Sequence, residues 1–123
     1  MNRAWLSTET EGLIAASKDC KPIVMDFFAE WCEACHDLDK FTFTDDRIKE
    51  LVSKEFIPIK IDATKPTPDV QKILMKYGVL GLPTILFLDS KGNVITDLSL
   101  SGFLHADEFL ELLKKADARQ MSC

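Results

Sequence analysis

A chain of 123 residues has the size of one domain and can enclose a single hydrophobic core, so residues 1–123 are expected to form a single domain. With 15 basic and 20 acidic side chains the net charge is −5, which argues against a nucleic-acid surface or anionic-lipid binding and leaves proteins or neutral ligands as partners. No apolar run has the length of a membrane span, and the first twenty residues lack the basic-then-apolar pattern of a signal peptide, so no direct membrane insertion is expected.

Thr8 and Glu11 stand at capping-box spacing ahead of Leu13 and Ile14 and predict a first helix running towards Lys18. After Pro22 the run Ile23-Val24-Met25-Asp26-Phe27-Phe28 is apolar except at Asp26, the pattern of a central strand covered on both faces. The chain turns helical beyond Trp31, and Asp45 or Asp46 restarts a helix with Ile48, Leu51 and Val52 on its apolar face. Ile57, Ile59 and Ile61 alternate with Pro58 and Lys60 in a strand from Phe56 to Asp62, which the proline confines to an edge or an irregular end. Thr67-Pro68 reads as an N-cap with a first-turn proline, and Val70, Ile73, Leu74 and Tyr77 then give the clearest helical spacing in the chain. Gly81-Leu82-Pro83-Thr84 leads into Ile85-Leu86-Phe87-Leu88, and a turn at Lys91-Gly92-Asn93 with a strand from Val94 to about Leu100 completes a hairpin. Phe109, Leu112, Leu113 and Ala116 mark the buried face of a last helix, with His105 at its start as a surface residue. The order α, β, α, α, β, α, β, β, α predicts an α/β fold whose mixed sheet is flanked by helices on both faces.

The cysteines, at positions 20, 32, 35 and 123, are too few and too uneven for a disulfide scaffold and divide into one close pair and two isolated thiols. Cys32 and Cys35, three apart at the start of a helix, share a face and are close enough to join, and the helix N-terminus favours a thiolate there. In such a pair the first cysteine attacks and the second resolves. A Cys-x-x-Cys between an apolar strand and a helix points to redox chemistry before a structural or metal role. Trp31 beside it is either a lid over the disulfide or simple packing.

Stepped at the helical period from Cys32, Glu33, His36, Asp37 and Lys40 form a polar stripe and Ala34, Leu38 and Phe41 an apolar one. Asp39 falls two turns below Cys32, on the face of the sulfurs. Asp26 is a second acid out of place, because burial in an apolar strand without a role is costly. These acids and Glu33 should raise the Cys32 pKa against the helix effect, and a buried acid can shuttle a proton. The alternatives are a hydrogen-bonded Asp26 and a solvated Asp39. Leu82-Pro83-Thr84 is an ordinary loop or a cis-proline turn, and on spacing alone the loop prevails.

Ile23 to Cys35, with Gly81-Leu82-Pro83-Thr84 and the region of Gly102, resembles the thioredoxin superfamily over nearly the whole chain. The segments from Pro22 to Cys35, Asp39 to Asp45, Val79 to Phe87 and Ser101 to Phe103 resemble, more narrowly, the C-terminal domain of the membrane thiol-disulfide interchange protein family DsbD. The resemblance implies a thioredoxin-like fold and a protein-disulfide reductant that needs no metal or organic cofactor. It implies Cys32 as nucleophile, Cys35 as resolving thiol, Pro83 as cis-proline and Asp26 as buried acid, with Asp39 where the family can carry a glutamate. Trp31, Glu33, Ala34 and Leu82 are the expected partner-binding residues. Glu33 and Ala34 replace the glycine and proline of thioredoxins proper, which favours the interchange family. Expected partners are proteins with exchangeable disulfides, among them other domains of one membrane electron-transfer protein, and a monomer is expected. The implied location is the periplasmic side of an inner membrane, where the family also serves cytochrome maturation; the alternative is a stand-alone cytoplasmic relative.

Three rival readings remain. Cys32-Glu33-Ala34-Cys35-His36 also fits the haem-attachment pattern, although a sheet-rich order suits a small haem protein poorly and His36 falls in the solvated stripe. Zinc would need two ligands beyond Cys32 and Cys35, and there is no second Cys-x-x-Cys. A binding module without turnover would be signalled by loss of a cysteine, and both are present. Cys123 is a stray thiol or a site of accidental dimerisation.

Overall fold

A computed structural model of the chain describes residues 5–120. Strand β1 (Ile23–Phe28) lies between β2 (Ile57–Asp62), to which it is parallel, and β3 (Thr84–Leu88), to which it is antiparallel. A two-residue β4 (Leu100–Ser101) pairs antiparallel with β3. Side chains alternate across this sheet, so Ile23, Met25 and Phe27 join Ile57, Ile59 and Ile61 in one apolar cluster, while Val24 joins Ile85 and Phe87 in another. Helices α1 (Glu9–Asp19) and α4 (Pro68–Lys76) cover the first face, and α3 (Asp46–Glu55) and α5 (Ala106–Ala118) cover the second. The expected mixed sheet with helices on both faces is what forms, and β1 is its buried inner strand.

The caps act as their residue types dictate. Thr8 accepts from Glu11 N–H at 3.2 Å, Asp45 from Arg47 and Ile48 N–H, and Thr67 from Val70 N–H at 3.3 Å, each filling a donor that the first helical turn leaves unmet. Gly12 sets α1 directly on β2, since a Cβ there would come 1.9 Å from Ile59 Cδ1.

Three expectations need correction. The helix beyond Trp31 is α2 (Glu33–Asp37), only five residues long, followed by a π-turn (Leu38–Thr42) that Thr42 Oγ1 anchors by donating to Leu104 O at 2.6 Å. The helical wheel therefore fails past Asp37, and Phe41, assigned to the apolar stripe, is 59% exposed. The strand expected from Val94 to about Leu100 is mostly absent: Val94 makes one bridge to Leu88, and Thr96–Leu98 winds into a 3-10 turn that buries Leu98. Arg119 bonds the Asp97 side chain within that turn. Helix α4 forms where its periodicity placed it, with no fully buried residue, and Lys76 and Tyr77 bond Glu9 of α1. None of the described cysteines is free, so Cys20 is not the isolated thiol expected. It ends α1 with Gln120 Nε2 at 3.8 Å from its Sγ, a proximity hidden by 100 positions of sequence; Cys123 lies outside the described residues.

Candidate redox site

The inner strand delivers the site. Beyond Phe28 the chain leaves the sheet, and Cys32 becomes the N-cap of α2, its Sγ accepting the Cys35 N–H at 3.2 Å. A helix this short has little macrodipole, so the stabilisation available to a thiolate comes from local N–H groups. Cys32 and Cys35 are joined as a disulfide with their Cα atoms 5.2 Å apart. They are 7% and 3% exposed, Cys32 being the more open, and they pack among Phe28, Ala29, Ala34 and Leu82.

Two loops frame the pair. The Leu82–Pro83 peptide is cis, against the reading from spacing alone and in line with the resemblance, and the buried Pro83 accepts from Gly102 N–H at 3.0 Å. On the other side Thr64 holds the segment before Cys32: its Oγ1 accepts from Glu30 N–H at 2.9 Å and its carbonyl from Trp31 Nε1 at 3.1 Å. His36 Nε2 donates back to Glu30 O at 2.6 Å, so the loop is tied at both ends. Trp31 is 68% exposed, and with Leu74, Leu80 and Leu82 it walls a groove of about 380 Å³. Glu33 is exposed beside it.

The two acids converge on one lysine. Asp26 stands opposite Lys60 in the β1–β2 register, is 2% exposed, and places Oδ2 3.3 Å from Lys60 Nζ. Its Oδ1 is buried without a hydrogen-bond partner among the described residues. Burial raises the carboxyl pKa from 3.8 to about 6, with Lys60 pulling it down and Asp39 pushing it up. Asp39 Oδ1 also meets Lys60 Nζ, at 2.5 Å. The wheel placed Asp39 along the sulfurs; the π-turn instead turns it to Lys60, whose ammonium it meets. Phe28 connects the two groups, packing against the cysteine pair and lying 4.8 Å beneath Lys60 Nζ. Sequence pattern alone did not single out Lys60 or Thr64, although a lysine alternating with Ile59 and Ile61 on a sheet face was a usable signal.

A closed cysteine pair at a helix start, packed against the loop of a cis-proline, is the arrangement of a thiol-disulfide oxidoreductase. Residues 10–117 match the model of the thioredoxin-like domain family, and the chain belongs to that family. It is 38% identical over 105 residues to the thiol:disulfide interchange protein DsbD of Yersinia pestis, covering 85% of this chain and 18% of that protein. To DsbD of Haemophilus ducreyi it is 36% identical over 108 residues, again 18% of the relative, so the chain spans under a fifth of these curated relatives. The oxidised C-terminal domain of DsbD from Neisseria meningitidis superposes with a TM-score of 0.75 at 28% identity, over 92% of this chain and 99% of that one. A thioredoxin from Thermus thermophilus gives 0.80 at 25% identity, over 94% and 87%.

Proposed function

We propose that the chain acts as one thioredoxin-like unit that reduces disulfides of partner proteins, as the terminal domain of an interchange protein would. The Cys32 thiolate attacks a partner disulfide, forming a mixed disulfide and releasing one partner thiolate. Cys35 then attacks the Cys32 sulfur, and the second partner thiol leaves. The partner gains two electrons, one proton that originated on Cys35 and a second from solvent on its first thiolate, and the Cys32–Cys35 disulfide remains to be reduced by an upstream dithiol. Asp26 takes up the Cys35 proton during resolution; its near-neutral pKa and its unpartnered Oδ1 support that role. Trp31, Glu33, Ala34 and Leu82 meet the partner, whose backbone lies along the Pro83 loop. The similarity to DsbD supports a place on the periplasmic side of an inner membrane, with other domains of one interchange protein as electron donor and acceptor.

The observation that carries this reading is the closed Cys32–Cys35 pair at the start of α2. A redox titration in thiol buffers of known potential, with alkylation and mass analysis, tests it. Joint reversible oxidation of the two cysteines at a reducing potential supports a reductant, and a strongly oxidising potential reverses the direction. A Cys35→Ser variant should accumulate a mixed disulfide with insulin that Cys32→Ser does not form; its absence would remove the order of attack.

A further inference from the structure

The Lys60 ammonium is held by more than its two carboxylates. Three rings surround it: Phe28 at 4.8 Å, and Trp5 and Phe43 each at 5.4 Å from Nζ. Phe28 belongs to the inner strand, and Phe43 follows the π-turn and is fixed against Phe109 of α5. Trp5 comes from outside both. The segment ahead of α1 is fastened to the outer edge of β2, with Leu6 N–H donating to Pro58 O at 2.9 Å and Lys60 N–H donating to Leu6 O at 2.8 Å. That bridge sets Trp5 against Phe43, ring centroids 5.2 Å apart, beside the Lys60 side chain. A cation over ring faces is attracted by their quadrupoles, the more so when partly withdrawn from water, and Lys60 is 22% exposed.

We propose that Trp5 is a positioning residue for the redox centre, closing a three-ring cage that holds the Lys60 ammonium between the carboxylates of Asp26 and Asp39. The proposal rests on the reductant reading for its use, since it deepens the control of that site. Trp5 acts through Lys60. A lysine freed from the cage turns towards water, and its attraction for the Asp26 carboxylate weakens. The charged groups acting on Asp26 are Lys60 from β2 and Asp39 from the π-turn; with Lys60 withdrawn, burial and Asp39 act unopposed and the acid keeps its proton to higher pH.

Carboxyl-carbon NMR of Asp26 in the oxidised protein tests this in wild type, Trp5→Leu and Trp5→Phe. Leucine keeps an apolar body against Phe43 but offers no ring face; phenylalanine restores one. Trp5→Leu should raise the Asp26 midpoint by about half a unit to one unit, and Trp5→Phe should leave it near the wild-type value. No shift in a folded Trp5→Leu protein, or equal shifts in both variants, overturns the proposal. Should Trp5→Leu fail to fold by circular dichroism, wild type decides: ring currents should move the Lys60 Hε protons upfield, and random-coil positions for them overturn the cage. The pH profile of the reduced protein's reaction with glutathione disulfide should move with the carboxyl midpoint. Failure of the reductant reading would show instead as a wild-type protein inert towards disulfides, with the NMR midpoints still reporting the cage.

Discussion

Asp26 has Lys60 at 3.3 Å from one oxygen and no partner among the described residues on the other, and it keeps its proton to about pH 6. In an unfolded chain the same carboxyl titrates near 3.8, so between these values the folded state binds the extra proton. Its pKa is raised on folding, so stability is fullest below 3.8 and is lost as pH rises through about 6. A shift of this size corresponds to about 3 kcal/mol. Asp26→Asn should therefore stabilise the protein at pH 7 by about 2 to 3 kcal/mol in urea unfolding, with the gain fading below about pH 4. An equal gain at both pH values would place the effect elsewhere. The oddity of this acid was legible, because a carboxylate in an apolar run needs a reason. Its partner was not, since the Asp26–Lys60 register joins positions far apart in the chain and no local pattern records it.

Elements with local causes were the legible ones. Thr8 and Thr67 announce helix starts by chemistry that acts within three residues, and both cap as expected. Thr67→Ala should cost about 1 kcal/mol of stability in denaturant unfolding and leave the redox potential of the cysteine pair unchanged. Gly12 is a packing constraint instead: Gly12→Ala puts a Cβ against Ile59, which is fully buried, and should destabilise by about 1 to 3 kcal/mol, measured the same way. A destabilisation of only a few tenths would mean that α1 rides up on β2 at little cost. The π-turn had no such signature. It is fixed from a distance by Thr42 on Leu104 O, and that tertiary bond turned Asp39 and Phe41 away from where a regular helix would carry them. The 3-10 turn that replaced a predicted strand likewise has long-range contacts, burying Leu98 and meeting Arg119 of the far C-terminal segment through Asp97.

For the molecule as a whole, the nearly unbroken apolar run of β1 was enough to foresee a sheet buried on both faces, whereas the site gathers contributions from four separate places in the chain. The cysteine pair and Pro83 came from motif and resemblance. Thr64 and the rings around Lys60 are products of the finished fold. Net charge is also a property at this scale: at −5, with Glu30 and Glu33 exposed beside the pair, the protein repels anionic oxidants. Its reaction with glutathione disulfide should accelerate by about twofold to threefold between low and physiological salt, read by stopped-flow fluorescence. A rate that falls with salt would show that a local positive charge, and not the net charge, governs the approach.

A protein that lays itself against other polypeptides runs the risk of being joined by them strand to strand. The two margins of this sheet answer that risk differently. Along β2, Pro58 offers no N–H, and Leu6 already occupies Pro58 O and the N–H of Lys60. Opposite, β4 is two residues long and gives an incoming strand little to template on. Polymerisation along the ladder is thus discouraged at both ends, which leaves the sulfur-bearing rim as the surface for the proposed exchange.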